Sequence, residues 1–310
     1  MTLLKRFLSV VTKRAYWQLY IIGLVILIAS GWLWWTRVHM NTERVFWGMI
    51  NNSLSTQGVT MEIDQSDGQS SIKQLMQMEL GDVDQAHSLT TLKQGNTEVK
   101  TEIIGTREAD YTRYRSINTD QKNAQGKPLN VSKILNVWSK SDDLQQSETQ
   151  ASGHQLLSQS LLGIGLPVGS VPVPIGELTP GQREDMLRLI KSEKIYDISF
   201  DKVKKERKDG RLQYVYEAKI QTILYVRMMK QFAKNLGFHE LDQVDPNSYQ
   251  SAEELKVKLT VDALSRQLVA VDNPTAGYAQ KYKGYGLPLK VEIPKDPVTA
   301  TELQEKLLEL

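Results

Sequence analysis

The residues that could do chemistry in this sequence are four histidines, two serine–lysine pairs, a glycine-rich run and a few adjacent carboxylates. His39, His87, His154 and His239 are scattered, and none has a second histidine or a carboxylate at metal-ligand spacing on a helical pattern, so no metal site is expected. Ser-x-x-Lys occurs at Ser70/Lys73 and at Ser199/Lys202, the spacing used by acyl-serine enzymes that act on cell-wall peptides. The companion Lys-Thr-Gly is absent, and both pairs fall in predicted strand or turn rather than at a helix start. Gly163-Ile164-Gly165-Leu166-Pro167-Val168-Gly169 imitates a dinucleotide loop, but proline replaces the residue that would open the helix, so backbone punctuation is the better reading. Asp142/Asp143 and Glu253/Glu254 are sequence neighbours whose side chains diverge, which suits solvated surface. There is no Gly-x-Ser-x-Gly, no phosphate-loop lysine and no cysteine. Thiolate nucleophiles, zinc–thiolate sites, iron–sulfur clusters, disulfides and a lipidated N-terminal cysteine are therefore excluded. Neither an enzyme nor a cofactor is expected.

Apolar side chains at strand spacing are the other candidate site. Met76 and Met78 share one strand face, and Tyr214 and Tyr216 share another. Such residues fill an ordinary core, and flexible methionines with large aromatics also suit a cavity that accepts an irregular lipid. Asn51-Asn52-Ser53 and Asn130-Val131-Ser132 match the glycosylation sequon as short patterns.

The elements that must position these residues can be read from periodicity. Asn41 or Thr42 caps a helix that places Val45, Phe46, Met49, Ile50 and Leu54 on one face, with Gly58 as its stop. Short runs over 59–64, 72–80, 87–93, 97–105 and 110–117, broken at Asp67-Gly68, Gly81-Asp82 and Gly95-Asn96, predict an antiparallel meander. Residues 119–150 read as loop with a short strand near Lys133–Trp138. The stretch 156–174 is apolar but carries Gly163, Gly165, Pro167, Gly169, Pro172 and Pro174, which suits an irregular crossing. Thr179-Pro180 opens a helix containing Met186, Leu187 and Ile190. Asp209-Gly210 joins 196–208 to 211–220 as a hairpin, and because a strict two-residue loop would pair Phe200 with Lys219, a bulge is expected. A helix follows with Tyr225, Met228, Met229, Phe232, Ala233 and Leu236 on one face and Arg227, Lys230 and Lys234 opposite. Strands over 255–262, 267–271 and 287–293 and a terminal helix over 299–310 complete the chain.

The chain has 310 residues, 40% hydrophobic and 24% charged, the composition of a folded protein. Its net charge of +2 conceals an asymmetry. Five of the 38 Lys/Arg and none of the 36 Asp/Glu lie within residues 1–40, which leaves 33 bases against 36 acids, a net −3, from residue 41 onward. That body carries no footprint for nucleic acid. Ala15 to Thr36 is a run of 22 uncharged residues with Ile21, Leu24 and Ile28 in its core. Tyr16, Trp17 and Tyr20 stand on one side of that core, and Trp32, Trp34 and Trp35 on the other. It is expected to be a transmembrane helix and signal anchor over 15–36, with the bilayer as partner. Lys5, Arg6, Lys13 and Arg14 would hold a basic tail (1–14) in the cytoplasm, with a single pass and residues 41–310 as an extracytoplasmic α+β domain. A buried core helix and a signal peptide cleaved after Ala29-Ser30-Gly31 are the alternatives.

The segment Lys258–Asp272, with its Asp262-Ala263-Leu264-Ser265-Arg266 turn, and the close at Tyr285-Gly286 and Val291-Glu292-Ile293-Pro294 are similar to strands and turns of the bacterial lipoprotein-carrier (LolA-like) superfamily and its lipid-binding lipoprotein relatives. The order of elements over 41–310 resembles that group as well. The resemblance implies an α+β fold: after the transmembrane helix, an antiparallel, curved half-barrel sheet packed on helices. It also implies an apolar cavity for acyl chains, plugged by the 46–54 helix. The lining would be Phe46, Met49, Ile50, Leu54, Met76, Met78, Tyr214 and Tyr216. Without a lipidation cysteine, and with an anchor in place of free diffusion, holding or handing on lipid at a membrane surface is expected rather than shuttling. The rival expectation is a non-enzymatic envelope scaffold with a filled core, binding another envelope protein through a sheet edge or through the Arg227, Lys230 and Lys234 face.

Overall fold

A computed structural model of the chain describes residues 20–31, 35, 40–66, 69–81, 84–122, 126–141, 155–163, 170–274 and 278–308. Among them the chain forms helix α1 (20–31), helix α2 (Thr42–Ser53) and then a meander of β1 (Gly58–Ser66), β2 (Ser70–Glu79), β3 (Gln85–Gln94), β4 (Thr97–Thr106) and β5 (Asp110–Asn118). There follow β6 (Ser139–Lys140), α3 (Gln155–Leu162), α4 (Pro180–Ser192), β7 (Tyr196–Ile198), β8 (Lys204–Lys208), β9 (Arg211–Ile220) and α5 (Thr222–Asn235). The chain closes with β10 (Leu255–Asp262), β11 (Leu268–Asn273), β12 (Tyr278–Lys283), β13 (Val298–Thr299) and α6 (Ala300–Leu308). All thirteen strands belong to one curved sheet in the order β13-β6-β5-β4-β3-β2-β1-β12-β11-β10-β9-β7, with β8 also on β9.

The expected anchor does not stand. Within 15–36 the described helix covers 20–31, about 18 Å at ~1.5 Å per residue, against a hydrocarbon core of ~30 Å. Among the described residues no helix is long and apolar enough to cross a membrane. This overturns the transmembrane helix, the signal anchor, the single-pass arrangement and the localisation derived from them. A crossing needs about 20 apolar residues within one helix, and an uncharged composition by itself does not supply that. Tyr20, Ile21, Leu24 and Ile28 lie on α1 and are exposed, as is Trp35. Tyr16, Trp17, Trp32, Trp34, Lys5, Arg6, Lys13 and Arg14 lie outside the described residues.

The expectation of a wholly antiparallel sheet is also corrected: the sheet is mixed, because β13 runs parallel to β6, with Val298↔Ser139 and Thr299↔Lys140 as partners. The amide of Val298 donates to the Trp138 carbonyl at 2.8 Å, fastening the C-terminal segment beside that strand. A parallel pair needs a long connection, and here residues 141–297, about half of the chain, intervene.

Local chemistry accounts for the hairpins. Asp209 and Gly210 both adopt positive φ (51° and 76°), as a two-residue turn matched to strand twist requires. The expected bulge in this hairpin is a larger break. Lys204 to Lys208 pair with Val215 to Arg211, then a 3-10 turn at Phe200–Lys202 resets the register so that Asp197, not Phe200, faces Lys219. Between residues 287 and 293 there is no strand; the missing partner is β12, which pairs with β11 on one side and β1 on the other. β12 is the joint that makes the two halves one sheet.

Thr179 and Gln182 form a capping box at the start of α4, with Pro180 at its first position. The apolar faces of α2, α3, α4 and α5 share one core with the inward residues of the sheet, among them Met61, Met76, Met78, Tyr214, Tyr216, Leu259 and Val271.

Candidate functional site

The eight residues expected to line a cavity are brought together at the helix-covered face, where they are buried. Phe46, Met49, Ile50, Leu54 and Tyr216 are 0% exposed, Met78 and Tyr214 1%, and Met76 5%. The Phe46 ring lies 5.2–5.8 Å from the rings of Trp47, Tyr196, Phe200 and Tyr216, at edge-to-face or tilted angles. The hydroxyl of Tyr214 donates to the Met40 carbonyl and that of Tyr216 to the Thr42 carbonyl, both at 2.8 Å, so the polar ends of both rings are spent on holding α2 against β9. Burial pushes the Tyr216 phenol well above its ordinary range, and the neighbouring Tyr214 adds to the shift. Met76 receives a hydrogen bond from Ser160 of α3. None of the three described surface grooves is lined by any of the eight.

On the outer face of the meander, Glu102 is a carboxylate only 6% exposed. It accepts from His87 Nε2 at 3.0 Å, from Arg113 Nε at 2.7 Å and Nη2 at 2.6 Å, and from Arg115 Nε at 2.7 Å. Arg113 also stacks over Trp138 at 4.3 Å. Register creates this cluster: Arg113 faces Glu102 across β4 and β5, and a shift between Lys100 and Thr101 in that pairing brings Arg115 alongside. Burial raises the Glu102 pKa, but the hydrogen bonds from His87 and Arg113 and the charges of Arg113 and Arg115 outweigh it, leaving the carboxyl below its ordinary 4.5. A carboxyl depressed on folding stabilises the fold above its unfolded pKa, and that stability is lost as pH falls through the folded value. Glu102→Gln is expected to cost about 1–3 kcal/mol at pH 7, since one partner of a mostly buried, charge-assisted network is removed. Urea denaturation from pH 7 down to pH 3 checks this: the gap to the native protein should narrow once the native carboxyl is protonated, and a gap constant with pH would refute it.

The third feature lies outside β8, β9 and β10, where a groove of about 770 Å³ carries Lys202, Lys204, Lys219, Lys256 and Lys258 with Asp197 and Glu217 on its walls. Alternation places these side chains there: Lys256 and Lys258 are exposed while Leu255, Val257 and Leu259 enter the core. Lys219 sits directly opposite Lys256 in the β9–β10 register, a like-charge pair, with Asp197 facing Lys219 from β7 and Glu217 facing Lys258. Lys204 lies 3.6 Å from Glu217; among the described residues no ion pair is formed by Lys202, Lys219, Lys256 or Lys258. The lysine-rich pattern of 202–208 and the alternating Lys256/Lys258 were visible in the sequence, but which strands lie side by side was not. The basic helix face is less available than its spacing suggests. Lys230 Nζ is spent on the carbonyls of Asp242 and Val244 at 2.8 and 2.9 Å, while Arg227 and Lys234 remain exposed.

The remaining motifs stay apart. Ser70 and Lys73 lie on β2 at an odd spacing that sends them to opposite faces. Ser199 and Lys202 are exposed beside a 3-10 turn. His87 belongs to the Glu102 cluster; His239 is exposed with its Nδ1 2.9 Å from Asp242 Oδ2, and His39 and His154 lie outside the described residues. Among the described residues no three His, Asp or Glu side chains gather as metal ligands. Neither a protein-family model nor a curated protein matches this chain.

Proposed function

We propose that this protein is a non-enzymatic binding domain that works through its outer surface and engages another protein, with the helix-covered interior serving as core rather than as a container for lipid. One observation carries the reading: the side chains best suited to line a lipid cavity pack against one another, and their hydroxyls are satisfied by the backbone of the chain entering α2. A ligand pocket is concave and presents unspent polar groups beside accessible apolar walls. Here the tyrosine hydroxyls are spent and the apolar walls touch each other. The accessible concavities described lie instead on the outside of the fold, among charged side chains.

Hydrogen–deuterium exchange of the full chain, with and without phosphatidylethanolamine/phosphatidylglycerol vesicles, tests this. Exchange in α2 and at Tyr214–Tyr216 is expected to be the same in both conditions. A lipid-dependent change in those two segments would show an apolar ligand entering the interior and would sink the filled-core reading.

A further inference from the structure

We propose that the groove outside β8, β9 and β10, together with the outer edge of β8, binds an extended acidic peptide segment of a partner protein. The assignment rests on the surface-binding reading above and names the chemistry of its partner. β8 reads Lys204-Lys205-Glu206-Arg207-Lys208, four bases and one acid, all exposed. Its sole strand partner among the described residues is β9, so alternate residues of β8 direct their amide and carbonyl groups away from the sheet. The Lys205 ammonium lies 5.3 Å over the Tyr214 ring, on the helix side, while Lys204 lines the groove on the outer side. An incoming strand therefore meets positive charge on both of its faces.

Lysines on an edge strand also guard against edge-to-edge aggregation, and β8 alone would carry no more than that reading. Lys219 opposite Lys256 is different, because both are on inner strands where no edge needs guarding. Lys219 also faces Asp197 of β7 and Lys258 faces Glu217, so the two acids of the groove are matched by two of its lysines; five lysines against two acids leave an excess of positive charge that an anionic group seated in the groove offsets.

The chemistry of the walls selects peptide over nucleic acid. Among the described residues the groove has no aromatic side chain on which a base could stack, and Asp197 and Glu217 interrupt its positive surface where a continuous phosphodiester would run. A peptide whose carboxylates recur at every second residue places them all on one face, with the period of the strand it joins.

The test is fluorescence anisotropy of the full chain titrated against a labelled peptide in which Glu and Val alternate. Binding is expected, weakened at least tenfold by the double substitution Lys256→Glu/Lys258→Glu and weakened by raising salt from ~0.05 to ~0.5 M. Arg207→Pro, which blocks the outer edge of β8, is expected to weaken binding further than Arg207→Ala; circular dichroism reports whether each variant is folded. No binding of the Glu–Val peptide, or equal binding of a Lys–Val peptide, overturns the proposal and leaves the filled core untouched. Tighter binding of a single-stranded oligonucleotide or of phosphatidylglycerol vesicles at the same lysines also overturns it. If Arg207→Pro fails to fold, the charge reversals in the groove still decide: affinity unchanged in Lys256→Glu/Lys258→Glu refutes the site. A lipid-dependent change of exchange in α2 would instead refute the filled core, so the two failures are distinguishable.

Discussion

Phe46→Ala is expected to destabilise the protein by about 3–5 kcal/mol, the range for removing a fully buried phenyl ring from a packed core. The side chain is 0% exposed and touches four aromatic rings drawn from α2, β7, β9 and the 3-10 turn before β8. Those elements come from widely separated parts of the chain, so the cavity left behind cannot close by a local shift. Phe46→Leu keeps most of the volume and should cost roughly half as much. Guanidinium unfolding followed by tryptophan fluorescence measures both. If Phe46→Ala lost less than about 1 kcal/mol, the ring would be facing space rather than packed neighbours, and the case for a lipid cavity would revive.

Lys281→Pro is expected to cost about 3 kcal/mol or more, although the side chain it replaces is exposed. Lys281 occupies the middle of β12, opposite Glu62 of β1 on one side and Ala270 of β11 on the other. Proline removes a ladder hydrogen bond and places its ring against one neighbouring strand, at the only junction in the described sheet that joins the β1–β5 meander to β9–β11. Lys281→Ala, which leaves the backbone intact, should stay within about 0.5 kcal/mol of the native protein. Thermal unfolding by calorimetry separates the two, and a split of one transition into two in the proline variant would show the halves uncoupling. Equal stability of the proline and alanine variants would mean that the junction contributes little.

Residue types and spacing alone settled what depends on a few neighbouring positions. Asn41 capping α2, the capping box at Thr179 and Gln182, the Asp209-Gly210 turn and the alternation along β9 and β10 are visible because hydrogen-bonding side chains and turn residues act within about four positions. The eight apolar residues from Phe46 to Tyr216 were legible as core-facing for the same reason, whereas whether they enclose space or fill it depends on contacts between residues some 170 apart, such as Tyr216 with Thr42.

The uncharged run over 15–36 was read as a span from hydropathy alone, whereas among the described residues, helical over 20–31 there, no helix is long and apolar enough to cross a membrane. β12 was missed because Tyr278–Lys283 places two lysines and a glutamine among its six residues, and its strand character comes from having a partner on each side. The groove follows the same rule. Lys202, Lys204, Lys219, Lys256 and Lys258 are separate charges along the chain, and only the stacking of β8 on β9 on β10 turns them into one surface. Local sequence specifies the elements and the faces they present; strand neighbours are chosen by long-range burial and backbone pairing, which decide where charges from distant segments meet.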